Sequence, residues 1–176
     1  MTEKEKMLTG ELYLASDATL VGERRRAKDL CRRYNAGAAE VLHELFRYAT
    51  DAYLEPPFYC DYGTNLRLGA RVYANHNLVV LDCALVTIGD DVFIGPNVVL
   101  STAGHPIDPE VRVTLLEFAK PITIEDKVWI GAGVVLVPGV TIGAGSTIGA
   151  GSVVTKNIPA RCVAVGNPCR VLRMLD

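Results

Sequence analysis

No run of apolar residues in this 176-residue chain approaches the ~18 needed to cross a bilayer. The opening stretch, MTEKEKMLTGELYLASD, is too polar for a secretory signal. Basic charge is not in excess: 18 Lys+Arg stand against 20 Asp+Glu, a formal net charge of −2. Neither a nucleic-acid partner nor a membrane surface is therefore expected. Cysteine occurs five times, at 31, 60, 83, 162 and 169, and never as C-x-x-C. Such an odd, scattered set predicts free buried thiols and a cytoplasmic protein rather than a disulfide framework. The three histidines, His43, His76 and His105, include no pair at short ligand spacing, so no metal centre is expected. The remaining composition, 49% hydrophobic and 22% charged, suits one soluble globular domain with a sizeable core.

The chain has two halves of different character. Residues 1–56 read as a helical amino-terminal segment. Leu20, Ala27, Leu30, Cys31 and Tyr34 recur at helical spacing among basic residues. AEVLHELFRYATDAYL repeats the pattern through Val41, Leu42, Leu45, Phe46 and Ala49, with His43 expected to be partly buried beside that face. Pro56-Pro57 would end any helix.

Within residues 57–176 the period becomes six. From Ile88 a branched apolar residue opens each hexad: Ile88, Ile94, Leu100, then Ile124, Ile130, Leu136, Ile142, Ile148 and Val154. Gly follows at 89, 95, 131, 143 and 149. The fourth positions are Asp91, Asn97, Lys127, Gly133, Gly139, Gly145, Gly151 and Asn157. All except Lys127 tolerate the left-handed backbone of a tight corner. Neither a helix nor a hairpin sheet has this period. Short strands joined by corners and stacked about 4.8 Å apart do, which predicts a β-solenoid. A dinucleotide-binding turn is excluded, since no G-x-G-x-x-G is completed.

Between Leu100 and Ile124 the ladder stops for four hexads' length. Residues 101–121 contain three prolines and predict an extruded loop. His105 stands at its base. It reads either as a locally hydrogen-bonded loop residue or as a general base, with an unperturbed pKa of ~6.5.

These hexads, together with YANHNLVVLD, GHPIDPEVR, KPITIEDKVWIGAGVVLVPGVTIG, AVGNPCRVLR and MLTGELYLASD…ERRRAKDLCRRYN, resemble the maltose and galactoside O-acetyltransferases across nearly the whole chain. A nodulation-type oligosaccharide acetyltransferase is similar to almost the same degree. The resemblance implies a left-handed parallel β-helix, a homotrimer with intersubunit sites, and acetyl-CoA as a co-substrate, with no tightly bound cofactor. It implies transfer of acetyl to a sugar hydroxyl, with His105 as the base. On the acceptor side it implies Tyr73, Asn75 and Asp61. On the acetyl-CoA side it implies Ala132, Ala150, Thr155, Lys156, Arg170 and Arg173.

Other readings of these residues stay open. Tyr73 and Asn75 could stack at a corner, with His76 either lining the same cleft or standing at the surface. Lys156, Arg170 and Arg173 could be solvated surface. Asp17 could contact the acceptor or cap a helix. Galactoside enzymes carry a second acidic residue where this chain has Cys83, so an acceptor hydrogen bond is either missing or supplied by Asp82, and GHPIDP leans toward a maltose- or glucose-type acceptor. An oxyanion donor is expected near Gly131 or Ala132. Glu117, or else a backbone carbonyl, is expected to orient the imidazole. A non-enzymatic trimeric scaffold is the alternative of a different class.

Overall fold

A computed structural model describes all 176 residues. It is mainly β, a solenoid of about six turns with a few helices at one end. Three parallel sheets form its faces. The first face runs Tyr53–Leu54, Tyr73–Ala74, Phe93–Ile94, Trp129–Ile130, Thr147–Ile148 and Cys162–Val165. The second runs Phe58–Cys60, Leu78–Leu81, Val99–Ser101, Val135–Leu136 and Val153–Val154. The third runs Leu66–Leu68, Val86–Ile88, Ile122–Ile124 and Thr141–Ile142.

The hexad residues fill the interior as the six-residue period requires. Ile88, Ile94, Leu100, Ile124, Ile130, Leu136, Ile142, Ile148 and Val154 are all buried in one core. Each such side chain contributes about 1.5–3 kcal/mol of burial, so the columns dominate stability. At the corners Lys127 adopts φ 59°, despite being the residue least suited to it. Its amide bonds Asp90 O, and the stacked coils hold it there. Asn157 is not left-handed. Its Oδ1 instead accepts from Thr141 N at 2.9 Å.

The solenoid begins well before Ile88. Tyr53 pairs with Tyr73 twenty residues on, whereas Trp129 pairs with Thr147 eighteen residues on. The two additional residues of the early coils fall at one place, the edge between the second and third faces. Val80 and Ile88 are eight apart there, against six for Leu136 and Ile142. The extruded loop leaves the third coil at this same edge. Phe93 pairs with Trp129 thirty-six residues on, so the loop adds one coil's length. That is why the hexad phase survives the interruption.

The helical segment contains α1 (Glu3–Thr9), α2 (Ala18–Asn35) and α3 (Val41–Phe46). The reading of helix beyond Phe46 is corrected. Arg47 turns left-handed at φ 62°, and Tyr53–Leu54 is already the first solenoid strand. His43 is exposed rather than partly buried. Helix α2 covers the open end of the first coil. Asn35 Nδ2 donates to Phe58 O at 3.0 Å, and its Oδ1 accepts from Phe58 N at 2.8 Å. An unpaired edge strand is thereby sealed. At the other end Arg170–Met174 folds back antiparallel on Cys162–Val165.

Candidate active site

The loop is a pair of arms, Ala103–Gly104 and Leu116–Ala119, joined across α4 (Pro109–Arg112). The second arm also pairs antiparallel with Tyr13–Leu14 of the amino-terminal segment, placing Tyr13 opposite Glu117. His105 follows the first arm and stands half exposed. Its Nε2 lies 4.0 Å from Glu117 Oε1. The other carboxylate oxygen, Oε2, accepts from the Tyr13 hydroxyl at 3.0 Å. The arm pairing thus carries a carboxylate from one strand to an imidazole at the end of the next.

His105 and Glu117 border a cleft of about 400 Å³ that also holds Arg24, Lys28, Asp61 and Cys83. Asp61 sits on the wide second-to-third edge, and burial raises its carboxyl pKa. Cys83 Sγ lies 3.7 Å from Asp61 Oδ2, and burial pushes this thiol up to about 12. The thiol is therefore neutral near pH 7 and acts here as a weak donor, not a nucleophile. Arg24 is held over the cleft by the Tyr62 hydroxyl at 2.7 Å and by Ala15 O. A second groove, about 650 Å³, shares Lys28, Asp61 and Leu81 with this cleft and is walled by Tyr59 and Val79.

On the edge between the first and second faces, Ala132 and Ala150 are exposed. Their amides donate to no protein acceptor, while Gly131 N bonds Ile148 O at 2.8 Å. Of Gly131 and Ala132, between which the oxyanion donor is expected, only Ala132 has an amide without a protein acceptor. Gly131 has no room for a side chain, since a Cβ there would lie 2.6 Å from Ala150 N.

Comparison with known proteins decides the family. Residues 6–49 match the maltose acetyltransferase hexapeptide capping motif, and residues 121–156 match the bacterial transferase hexapeptide. The galactoside O-acetyltransferase of Escherichia coli is 44% identical over 100% of this chain and 91% of its own length. The solved maltose O-acetyltransferase of Clostridium difficile superposes with a TM-score of 0.97 at 45% identity, covering 100% of this chain and 98% of that one. A hexapeptide-repeat acetyltransferase of Vibrio cholerae, solved with acetyl-CoA, gives 0.92 at 40% identity over 100% of both. The chain belongs to the maltose and galactoside O-acetyltransferase family.

Against the family pattern, the residues expected in the site divide into groups. His105, Glu117 and Asp61 meet in one cleft. Tyr73 and Asn75 lie elsewhere, beside Phe93 and Trp129 on the first face. Tyr73 stacks on Tyr53 with ring centroids 6.1 Å apart, and Asn75 Oδ1 accepts from His76 N. His76 is exposed, with Nδ1 2.6 Å from Pro56 O, and does not border the His105 cleft.

Asp82, expected on the acceptor side, does not line the cleft. It is fully buried, with Oδ1 accepting from Asp61 N and Tyr62 N and Oδ2 from Asn65 N. Its carboxylate braces the edge that presents Asp61. Cys83, not Asp82, faces the cleft. Asp17 caps α2 through Thr19 N at 3.0 Å and Leu20 N at 3.3 Å, away from His105.

The residues expected on the donor side lie toward the far end of the solenoid. Thr155 and Lys156 are exposed just past the last second-face strand. Arg170 and Arg173, three apart, face the same side because the pairing register shifts between them. They oppose Val165 and Val163, which share one face of their strand. Sequence reasoning missed Tyr13, Arg24 and Lys28. Their contribution arises from packing of the amino-terminal segment against the loop, which no local spacing encodes.

Proposed function

We propose that this chain moves the acetyl group of acetyl-CoA onto a sugar hydroxyl, with His105 as general base and no covalent enzyme intermediate. The observation that carries this reading is the placement of His105 against Glu117 at the mouth of the cleft beside Asp61. A sugar hydroxyl is a weak nucleophile at neutral pH and must lose its proton as it attacks. The ring nitrogen turned away from Glu117 accepts that proton. The oxygen forms a bond to the thioester carbonyl carbon, and the carbonyl oxygen becomes an oxyanion. The C–S bond then breaks, and the imidazolium returns the proton to the leaving sulfur. Glu117 balances the imidazolium between the two steps.

Ala132 N–H donates to the oxyanion, worth ~10²–10³ in kcat for one such donor. Ala150 N–H holds the pantetheine arm along the same edge, near Thr155. Lys156, Arg170 and Arg173 meet the phosphates of the donor. These groups and His105 occupy different edges of one chain. A homotrimer resolves this by setting the first-to-second edge of one subunit, with Tyr73 and Asn75, against the extruded loop of the next. The exposed ladder of Tyr53, Phe93 and Trp129 supports such a contact.

A maltose- or glucose-type acceptor is favoured over a galactoside, because Cys83 offers no carboxylate. The adjoining groove beside Tyr59 leaves room for a second ring. The test is thiol release from acetyl-CoA with glucose, maltose, a galactoside and a chito-oligosaccharide, for wild type and His105→Ala. Sugar-dependent release that falls ~10²–10⁴-fold in the variant supports the reading. A galactoside or chito-oligosaccharide that outpaces maltose replaces the acceptor. Absence of sugar-dependent release in wild type leaves the solenoid as a scaffold. Light scattering that reports a monomer removes the intersubunit site.

A further inference from the structure

Tyr13 belongs to a small second core, with Met7, Leu20, Tyr62, Cys83, Ala84 and Ala119, separate from the solenoid interior. Two buried tyrosines in this cluster direct their hydroxyls at charged cleft residues. Tyr62 accepts from Arg24, and Tyr13 donates to Glu117. Neither bond is needed to fill space, since phenylalanine packs a small core equally well. A buried hydroxyl normally finds a partner, but here the partner is the carboxylate that faces His105.

Glu117 stands on an arm of the extruded loop and is only partly buried. An unpinned glutamate would sample several rotamers, and few of them would hold its charge beside an imidazole. We infer that Tyr13 is a positioning residue for catalysis: by binding Glu117 Oε2 it commits Oε1 to His105 and so sets the basicity of the imidazole. This rests on the reading of His105 as the base.

The hydroxyl is suited to the task. Burial and the neighbouring Cys83 and Glu117 raise its pKa far beyond any working pH, so it donates throughout. Cys83 belongs to the same buried cluster, and its Sγ lies 3.7 Å from Asp61 Oδ2. The charged or titratable groups that share the cleft with His105 are Arg24 and Lys28 from α2, Asp61 and Cys83 from the second-to-third edge, and Glu117 from the loop. Of the two carboxylates, Glu117 is the one within 4.0 Å of an imidazole nitrogen. The amino-terminal segment is then more than a cover for the first coil. It reaches across the cleft and holds part of the catalytic apparatus.

The test is Tyr13→Phe in the full chain, with kcat and KM for both substrates measured from pH 5 to 9. The expected result is a kcat reduced about tenfold, with the KM for acetyl-CoA unchanged and thermal stability close to wild type. The acidic limb of kcat/KM moves to lower pH, because an imidazolium without its fixed carboxylate loses its proton more readily. Glu117→Gln gives the same displacement, and Tyr13→Phe adds nothing in the Glu117→Gln background.

A wild-type kcat and pH profile for a folded Tyr13→Phe overturns the inference. So does an effect fully additive with Glu117→Gln. If Tyr13→Phe does not fold, difluorotyrosine placed at residue 13 keeps the shape and alters only the donor strength; an unmoved acidic limb then overturns it. Failure of the underlying reading looks different, since His105→Ala would retain sugar-dependent turnover.

Discussion

Two edges of the solenoid are built on the same six-residue beat and behave in opposite ways. Between the third and first faces, three backbone amides are closed off by acidic side chains of the neighbouring coil. Ala70 N bonds Asp90 Oδ1, Asp90 N bonds Asp126 Oδ1, and Ala144 N bonds Glu125 Oε2, each at 2.8 Å. Between the first and second faces the corresponding residues are Pro96, Ala132 and Ala150. Proline has no N–H, and the two alanine amides are left open. The backbone geometry is shared, so an acidic side chain from the neighbouring coil is what separates the amides of Ala70, Asp90 and Ala144 from those of Ala132 and Ala150. The edge between the second and third faces combines both habits. Asp82 seals the amides of Asp61 and Tyr62, while two additional residues per early coil and the extruded loop open a cleft beside them.

Substitutions that remove an amide break this comparison most sharply. Ala132→Pro deletes the proposed oxyanion donor and is expected to lower kcat ~10²–10³-fold. The matching change on the sealed edge, Ala144→Pro, removes only a hydrogen bond to Glu125 and should leave steady-state kinetics intact. Equal loss of kcat in both variants would erase the distinction between the edges. On the donor side, Lys156→Glu or Arg170→Glu should raise the KM for acetyl-CoA about tenfold with kcat little changed. An unaltered donor KM would return these residues to solvated surface.

Smaller effects sharpen the account of the sealed edges. Burial lifts the Asp82 carboxyl to about 7, against an ordinary value of 3.8. The folded state therefore keeps a proton that the unfolded chain releases near pH 4. This stabilising contribution is complete below about pH 4 and is lost as pH rises through 7. Urea midpoints measured from pH 4 to 8 should fall more steeply for wild type than for Asp82→Asn; parallel curves would reject the assignment. The smallest change is expected for Asp126→Ala, about 1 kcal/mol of stability from one lost bond to Asp90 N. Its donor KM should match wild type, since the proposed donor site lies on the other edge.

Much of this architecture was legible because a hexad repeat is a local pattern. Each of the nine opening residues from Ile88 to Val154 points inward for the same reason, a short strand followed by a corner. The loop showed itself by breaking the beat, and His105 by standing at the break. Other features were hidden. The first coils are twenty residues long, and their sequences, such as YLEPPFYC and YANHNLVV, lack the regular glycine. Ala49 and its neighbours carried a helical pattern, yet Arg47 stops the helix and Leu54 is claimed by the solenoid column. Asp82 and Cys83 are adjacent in sequence and both buried, and only the direction of the chain at a widened edge decides which of them borders the cleft.

By itself the sequence determined the solenoid, the place of its interruption and the residue types available for chemistry, because repeat, corner and loop are short-range properties of the chain. The tertiary structure alone decided which of those residues meet. Tyr13 reaches Glu117 across more than a hundred residues, His105 finds its carboxylate through antiparallel arms, and Tyr73 and Asn75 are carried to a different edge. Such encounters depend on how stacked coils and a folded-over segment close in space, and no spacing along the chain records that.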